Sequence, residues 1–257
     1  MRGADLQAAL AEIALVRRIH FFEELGSTSD FAKQLAAGAR HGATVHGTLI
    51  VALHQTAGRG RHRRRWEAPP GAALLFSLVV DGVHAPLLPM AAPVAVCEGI
   101  AAVEPGLCPR IKYPNDILLS GRKAGGVLLE QAGPAVVVGV GVNVSQSAGQ
   151  LPPGARVAAT SLALELGRAA DTVGLLTAIL ARLGNYMSPE LDAALAGRMN
   201  ALCDTIGREV EVDTSGGVVR GTAMSVAADG ALMVRTEAGT QRALYSGDVM
   251  EMRALNR

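Results

Sequence analysis

The sequence predicts an α+β fold, in which a mixed β-sheet flanked by helices is followed by a small C-terminal β-barrel. Over about the first 200 residues, short runs rich in leucine and valine, typical of buried strands, alternate with stretches of helical spacing. The last fifty or so residues alternate polar and apolar side chains between closely spaced turns, which is typical of a small antiparallel barrel. We therefore place a domain boundary near residue 202, giving domains 1–202 and 203–257.

The N-terminal part of the chain contains three predicted strands and two predicted helices, besides a short amphipathic helix at its start. Ser27, with Asp30 three positions later, is a loose form of the capping box and predicts that a helix begins there. In the second helix, Pro93 must occupy the first turn or produce a kink. In chain order the segments are RRIHFFEEL (strand), GSTSDFAKQLAAGAR (turn and helix), GTLIVALHQ (strand), AALLFSLVV (strand) and PMAAPVAVCEGIAAV (helix).

The central segment RIKYPNDILLSGRKAGGVLLEQ predicts three strands joined by two turns. The run AVVVGVGVNV predicts a further buried strand, whose glycines permit close approach of the backbone. Residues 158–199 have helical spacing. In the C-terminal domain, turns are predicted at residues 215–217, 229–230 and 238–239.

Composition and charge exclude several classes of protein. The 257 residues are 49% hydrophobic and 18% charged, as in an ordinary globular protein. No apolar run reaches the roughly 18 residues of a membrane span, and a net charge of +1 disfavours nucleic-acid binding, which usually needs a broad basic face. Three well-separated cysteines argue against a disulfide framework and a cysteine zinc site. We therefore expect a cytoplasmic protein with no membrane or nucleic-acid partner.

The segment GRGRHRRRW, residues 58–66, concentrates five arginines in a nearly neutral chain. Its glycines, Gly58 and Gly60, let the backbone approach a ligand closely, and guanidinium groups match the geometry of carboxylates and phosphates. A solvated loop or a heparin-type basic patch accounts for the same composition. A basic patch leaves unexplained why the run lies between two apolar strands, whereas an anion clamp and a solvated loop both remain open.

A second candidate site is the segment KYPNDILLSGRKAGG. Pro114, Asn115 and Asp116 are common turn residues, so a simple β-turn accounts for them. Lys112 and Lys123 flank the strand-turn-strand unit, and lysines beside buried strands are less easily explained as solvated surface residues. The glycines that follow Lys123 would let a flat ligand lie against the backbone.

Two weaker signals lie at the ends of predicted elements. Ser27 and Thr28 of GSTSD precede a helix, where hydroxyl groups act as caps, and where polar ligand groups can also bind exposed backbone N–H groups. Asn143 of GVGVNV ends an apolar strand, where an asparagine is most often a turn former. Taken separately, these residues do not distinguish structure from function.

The order and spacing of these stretches are more specific than any one of them. Together, GSTSD, HQTAGRGRHRRRW, KYPNDILLSGRKAGGVLLE and VGVGVNV resemble the catalytic domain of biotin protein ligases over roughly residues 20–150. That family shows a Ser-Thr-Asn turn, then Q-x-x-G-R-G-R, K-W-P-N-D, R-K-x-x-G-I and G-x-G-x-N in the same order. The terminal barrel resembles the SH3-like C-terminal domain of that family.

The resemblance implies an ATP-dependent ligase with biotin and ATP as substrates and Mg²⁺ as its metal ion. Such enzymes join the biotin carboxylate to the α-phosphate of ATP, keep the biotinyl-5'-AMP, and transfer biotin to a lysine of a biotin carboxyl carrier protein. Two unit charges of like sign repel by roughly 4 kcal/mol at about 4 Å and an effective dielectric of about 20. Positioned cations therefore supply alignment and electrostatic stabilisation, which gives the arginine segment a purpose.

Residue by residue, the resemblance assigns roles on both substrates. Lys123 would bridge the biotin carboxylate and the α-phosphate, and Lys112 and Arg61 would complete the catalytic set. Asp116 matches the aspartate that orients the site or its Mg²⁺. The implied biotin-binding residues are Ser27, Thr28, Ser29, Gln55, Arg59, Gly60, Arg61, Lys123 and Gly126. The implied ATP-binding residues are Arg59, Arg61, Trp66, Lys112, Asn115, Lys123 and Asn143.

The sequence departs from the family pattern at four positions. Ser29 replaces the asparagine of the Ser-Thr-Asn turn, Tyr113 replaces the tryptophan before Pro-Asn-Asp, and Ala73 replaces a common asparagine. Arg63 stands where the family usually has glycine, which adds charge and stiffens the backbone. These changes bear on loop geometry and turnover more than on the reaction class.

Several alternatives remain within and around the family. Only 26 residues precede Ser27, too few for the N-terminal DNA-binding domain of many relatives, so we expect a ligase without repressor function. The nearest alternative is a lipoate or octanoate ligase or transferase of the same fold. The transferases need a nucleophilic cysteine, and Cys97 is expected to be a small buried side chain in a helix. A catalytically poor relative, because of Arg63, is a further alternative, and both a monomer and a homodimer formed by edge-strand pairing remain open.

Overall fold

The computed structural model describes residues 3–38, 44–153, 157–187, 192–214, 216–245 and 248–251. Within these residues the chain forms a seven-stranded sheet with helices packed on it, followed by a separate five-stranded sheet. The predicted α+β class is confirmed.

The larger sheet contains the strands that the apolar runs predict. They are β1 (Arg18–Leu25), β2 (Thr48–Gln55), β3 (Ala73–Asp81), β4 (Arg110–Lys112), β5 (Asp116–Leu119), β6 (Arg122–Ala132) and β7 (Ala135–Asn143). Their spatial order is β1-β2-β3-β7-β6-β5-β4. The sheet is mixed, because β1 and β2 are parallel and the other neighbouring pairs are antiparallel. β3 and β7 lie at its centre and are covered on both faces, which explains their nearly continuous apolar sequences.

Helices cover both faces of this sheet. The described helices are α1 (Gly3–Ala9), α2 (Thr28–Gly38), α3 (Leu88–Val103), α4 (Leu162–Leu166), α5 (Thr172–Asn185) and α6 (Asp192–Leu202). α2 packs on β2 and β3, while α3 packs against α5, where a Cβ added at Gly99 would lie 2.6 Å from Ile179. Pro93 lies beyond the first turn of α3, so a first-turn position is excluded. In the described part of the chain no helix is long and apolar enough to cross a membrane.

The C-terminal sheet is antiparallel throughout. Its strands are β8 (Glu209–Thr214), β9 (Gly217–Val226), β10 (Leu232–Thr236), β11 (Gln241–Leu244) and β12 (Asp248–Glu251), in the spatial order β11-β10-β9-β8-β12. The predicted turns at 229–230 and 238–239 contain Gly230 and Gly239, both with positive φ, as tight turns require. Ser215, in the turn predicted at 215–217, lies outside the described residues.

One hydrophobic core joins the two sheets. The cluster of buried side chains that contains Leu74 and Phe76 of β3 also contains Val212 of β8 and Val234 of β10. The smaller sheet therefore stabilises the larger one, and side chains at their junction can influence the larger sheet's loops.

Candidate active site

A cavity of about 440 Å³ brings together the segments that the sequence singles out. Segments as far apart along the chain as Ser27 and Asn143 meet in this cavity, so Arg61 and Lys123 face a common space. Every residue predicted for the site lines it: Ser27, Thr28, Ser29, Gln55, Arg59, Gly60, Arg61, Trp66, Lys112, Asn115, Asp116, Lys123, Gly126 and Asn143.

A buried chain of hydroxyl groups forms the cavity wall at the N-terminus of α2. Ser77 Oγ donates to Thr28 Oγ1 at 2.8 Å. The Thr28 hydroxyl and backbone N–H both donate to Gln55 Oε1, at 3.0 and 2.8 Å. Because the one hydroxyl proton of Ser77 is used on Thr28, Ser29 must donate to Ser77, whose Oγ is 3.0 Å away. The chain therefore fixes both the Gln55 amide and the side chains of Thr28 and Ser29.

Ser27 caps the same helix, as its sequence predicts. Its Oγ accepts from the backbone N–H of Asp30 at 3.4 Å, and its side chain is buried. The helix thus begins at the cavity with its first residues held by side chains of its own and of neighbouring strands.

The arginine segment folds back on itself beside the cavity. Gly60 N–H donates to Arg64 O, which closes a turn around His62, whose backbone is left-handed (φ 54°). Trp66 N–H donates to Gly58 O. A Cβ at Gly58 would lie 2.4 Å from Trp66 O, so the loop requires glycine there.

Two arginines tie this loop to neighbouring elements. Arg59 Nη2 is bonded to Asp30 Oδ1 in α2 and donates to Glu130 Oε2 of β6 at 3.1 Å. Arg61 Nη1 donates to Asn115 Oδ1 at 3.2 Å. These contacts orient both guanidinium groups where they line the cavity.

Lys123 carries its ammonium group 2.6 Å from Asp116 Oδ1 on the cavity wall. The two side chains are 33% and 24% exposed, so the ion pair holds the lysine in place while leaving it accessible. A Cβ added at Gly126 would point at this pair, 3.6 Å from Asp116 and 3.7 Å from Lys123. Glycine at this position keeps the space beside the pair open.

Asn143, at the end of β7, has its side-chain amide held at both ends. Its Nδ2 donates to Thr160 O at 2.9 Å, and its Oδ1 accepts from Gln146 Nε2 at 2.9 Å. The residue is 6% exposed. One N–H and one lone pair of the amide remain for another partner, in directions that the protein sets.

Trp66 packs on the backbone of β7, since a Cβ at Gly141 would lie 2.7 Å from its Cε2. Its Nε1 is buried and has no hydrogen-bond partner among the described residues. A buried indole N–H is a donor that an acceptor on a ligand can satisfy.

Tyr113 connects the cavity to the C-terminal sheet. Its hydroxyl donates to Gly230 O at 2.9 Å and lies 3.4 Å from Leu244 O, and its backbone N–H donates to Thr205 Oγ1 at 3.0 Å. Burial raises the pKa of this phenol to about 12. Tyrosine in place of the family's tryptophan thus supplies a polar link between the two sheets.

Sequence reasoning missed several residues that support the site, and two of them carry a signal in the sequence. Ser77 lies inside the apolar run ALLFSLVV, where a single hydroxyl between apolar neighbours is a signal for a buried polar contact. Glu130 lies in the apolar part of β6, where an isolated carboxylate signals a cationic partner. Their partners, on α2 and in the arginine segment, are remote along the chain.

The fit of the site to a metal ion depends on Asp116. Across the described ranges, no group of three or more His, Cys, Asp or Glu side chains could hold a metal ion. Asp116 lines the cavity, and Mg²⁺ commonly binds one or two carboxylates together with substrate phosphates. The residues therefore fit a Mg²⁺ ion that binds together with a nucleotide.

The cysteines do not provide a nucleophile here. Cys97, Cys108 and Cys203 are free, lie in described parts of the chain, and are absent from the cavity lining. Cys97 is fully buried in α3, and burial raises the pKa of its thiol. The expectation of a small buried side chain is confirmed.

The sheet, the cavity and the small second sheet define the class of biotin and lipoate ligases. The model of the Biotin/lipoate A/B protein ligase family matches residues 25–146, and that of the Biotin protein ligase C terminal domain matches residues 205–250. The chain is 36% identical to the biotin–[acetyl-CoA-carboxylase] ligase of Mycobacterium tuberculosis, over 92% of this chain and 90% of that protein. The chain therefore belongs to the biotin protein ligase family, and its C-terminal domain is SH3-like.

Solved structures share this fold. The biotin protein ligase from Aquifex aeolicus in complex with biotin and ATP superposes with a TM-score of 0.79 at 24% identity, covering 93% of this chain and 100% of that chain. The biotin protein ligase from Leishmania major in complex with biotinyl-5-AMP gives a TM-score of 0.61 at 26% identity, covering 89% of this chain and 99% of that chain.

Proposed function

We propose that this protein activates biotin with ATP as biotinyl-5'-AMP and then transfers biotin to a lysine of a biotin carboxyl carrier protein. First, a biotin carboxylate oxygen attacks the α-phosphorus, the bond from that phosphorus to its bridging oxygen breaks, and pyrophosphate leaves. Next, the carrier amine attacks the acyl carbon, AMP leaves and the amine loses a proton. The convergence of Arg61, Lys112 and Lys123 on one cavity is the observation that carries this proposal.

The cations are suited to bringing two anions together. We assign the catalytic roles to Lys123, Arg61 and Lys112. Asp116 orients the ammonium group of Lys123, and Asn115 orients the guanidinium of Arg61. Cations that are already oriented need little reorganisation as charge moves in the transition state, which is where electrostatic catalysis is most effective.

The hydroxyl wall suits the ureido ring of biotin. A cyclic urea carries N–H donors and a carbonyl acceptor, and Thr28, Ser29 and Gln55 offer fixed partners of both kinds. We assign Ser27 to the same group, and the backbone of Gly126 to the ring.

The loop residues Arg59 and Gly60 are assigned to the biotin carboxylate, with Arg59 also reaching the phosphates. Both bonds of Arg59 to Asp30 and Glu130 use Nη2, and a guanidinium has donors on three nitrogens. The contacts within the protein can therefore persist while Arg59 binds an anion.

The nucleotide is assigned to the part of the cavity formed by Trp66, Asn115 and Asn143. Stacking of a base on an aromatic side chain contributes about 1–3 kcal/mol, and the two amides offer hydrogen bonds in fixed directions. Asp116 would hold Mg²⁺ together with the ATP phosphates, and the ion when bound would neutralise part of the phosphate charge.

We propose the same division of the chain as its sequence predicts, with residues 1–202 catalysing both steps and residues 203–257 forming a supporting domain. Free cysteines suit a protein of the reducing cytoplasm. β1 is an edge strand of the larger sheet, so a homodimer could form by pairing along it.

A lipoate or octanoate ligase or transferase is the second candidate, and the comparisons favour biotin over it. Biotin-dependent exchange of ATP with pyrophosphate tests the first step, with lipoate and octanoate as parallel substrates. The mass of a biotin carboxyl carrier domain, incubated with biotin and Mg-ATP, tests the second step. We expect exchange with biotin and the gain of one biotinyl group. Exchange with lipoate or octanoate and none with biotin would overturn the proposal.

A further inference from the structure

Lys123 and Asn143 are held by the same short segment, residues 158–160, which we call the strap. The N–H of Lys123 donates to Ala158 O at 2.7 Å, and its carbonyl accepts from Thr160 N–H at 2.9 Å. Thr160 O in turn accepts from Asn143 Nδ2 at 2.9 Å. The strap therefore sets both the backbone of the lysine and the amide of the asparagine.

Glu165, in α4, binds the strap from outside the cavity. Its side chain is 7% exposed and accepts hydrogen bonds from three donors: Thr160 Oγ1 at 2.6 Å, Arg122 Nη2 at 2.7 Å and Ser120 Oγ at 2.9 Å. Arg122 immediately precedes Lys123, and Ser120 lies in the turn before it. One carboxylate thus binds both the chain that leads into Lys123 and the strap beside it.

We propose that Glu165 is a positioning residue for the adenylation step, an inference that rests on the proposed function. It does not line the cavity, and it acts by fixing the strap on which Lys123 and Asn143 depend. Oε1 accepts from Thr160 and Arg122 and Oε2 accepts from Ser120. A glutamine with its oxygen in the Oε1 position would keep the first two bonds but lose the charge that strengthens them and the acceptor for Ser120. A displacement of about 1 Å at a reacting group can cost about 100-fold in rate.

The effect of Glu165 should fall mainly on ATP, because Asn143 is assigned to ATP alone, whereas Lys123 is assigned to both substrates. Among the described residues, the hydroxyl chain from Ser29 to Gln55 shares no hydrogen bond with Glu165 or the strap. Loss of the carboxylate should therefore slow adenylation and raise the KM for ATP more than the biotin Kd, because biotin keeps its contacts with the hydroxyl chain. A general loss of folding would weaken the binding of biotin and of ATP to the same extent.

The variants Glu165→Ala, Glu165→Gln and Thr160→Val test this role by single-turnover formation of biotinyl-AMP, the KM for ATP and the Kd for biotin. We expect the rate to fall about 10- to 100-fold in Glu165→Ala, with a smaller rise in the biotin Kd than in the KM for ATP. Glu165→Gln should recover part of the rate. Thr160→Val should lose part of it and add little to Glu165→Ala, because Glu165→Ala already removes the hydrogen bond that Thr160→Val breaks.

The matched control is Glu104→Ala. Glu104 is also a buried carboxylate bonded to a more exposed arginine, Arg168, and it does not line the cavity. The Glu104→Ala substitution should lower the urea midpoint of unfolding and leave the rate and the KM for ATP within about twofold of wild type.

Two results would overturn the role of Glu165. One is a normal rate and a normal KM for ATP in Glu165→Gln and Thr160→Val, which decide the matter even if Glu165→Ala fails to fold. The other is an equal rise in the biotin Kd and the KM for ATP. A wild-type protein that forms no biotinyl-AMP would instead contradict the proposed function, and the two failures are therefore distinguishable.

Discussion

Lys123 stands on the same face of the larger sheet as Asp116, with Nζ 2.6 Å from Oδ1, because a β-bulge shifts the register between β5 and β6. Asp116 lies opposite Gly126, and a regular ladder from there would set Lys123 opposite Leu119, on the other face. The shift instead sets Lys123 opposite Leu118, which shares a face with Asp116. The lysine therefore reaches the cavity through an irregularity of its strand.

Replacing Lys123 by alanine should lower the rate of biotinyl-AMP formation by at least about 100-fold, because an oriented cation is lost from the transition state. The midpoint of thermal unfolding should change little, because the ion pair with Asp116 is partly exposed. Arg198→Ala, which removes an ion pair with Glu98 outside the cavity, is the control and should retain the rate. Normal labelling of the carrier by Lys123→Ala would contradict the assigned role.

Removal of divalent metal ions should abolish activity without unfolding the protein. A chelator is expected to reduce biotin-dependent exchange of ATP with pyrophosphate by at least about 100-fold, since Mg²⁺ neutralises the phosphates. The thermal midpoint should stay within about 1 °C, because the described residues contain no metal-binding cluster. Calorimetry with and without chelator measures this, and a large fall in the midpoint would reveal a structural metal.

Tyr113→Phe should destabilise the protein by about 1 kcal/mol or somewhat more, because the carbonyl of Gly230 loses its buried donor. Urea unfolding measures the change. Tyr245→Phe is the matched control, since the Tyr245 hydroxyl donates to Asp229 on an exposed surface. The control should change the free energy of unfolding by no more than about 0.5 kcal/mol. Equal effects of the two substitutions would show that the link between the sheets is weak.

Alkaline pH should lower the free energy of unfolding of the wild-type protein more than that of the Tyr113→Phe variant. Burial raises the pKa of the folded phenol to about 12, whereas an unfolded tyrosine has a pKa near 10. The contribution of this group to stability is complete below about pH 10 and is lost as the pH rises toward 12. The difference in free energy of unfolding between the wild-type protein and Tyr113→Phe, measured at increasing pH, should therefore shrink by roughly 1 kcal/mol by about pH 11. A difference that does not change with pH would mean that the pKa of the phenol is the same in the folded and unfolded protein.

Ser77→Ala should weaken biotin binding about tenfold, because Ser29 loses its acceptor and Thr28 loses a donor. Calorimetric titration with biotin measures the Kd, and the KM for ATP should remain within about twofold. Ser145→Ala, at an exposed serine whose hydroxyl contacts Ala72 O, is the control. A biotin Kd unchanged by Ser77→Ala would exclude this hydroxyl chain from the binding site.

Much of the fold can be predicted from local patterns in the sequence. The central strands β3 and β7 are nearly continuous apolar runs, and the N-terminus of α2 has its cap in Ser27. The predicted site residues converge because short loops and paired strands carry their motifs to one place.

The supporting contacts could not be predicted, because they join residues that no local pattern relates. Arg59 meets Glu130 across 71 positions of the chain, and Ser120 meets Glu165 across 45. Glu165 looks like an ordinary polar position of a short helix, and its burial depends on where the strap runs. The face on which Lys123 lies depends on a bulge that adds one residue to the strand.

The core shared by the two sheets, together with the phenol of Tyr113 between them, has a consequence for how the protein fails on heating. Unfolding of the small sheet alone would expose apolar side chains of the large sheet to water. The two sheets should therefore unfold in a single cooperative transition. A destabilising change far out in β8–β12 would then appear as heat lability of catalysis, although it touches nothing in the cavity.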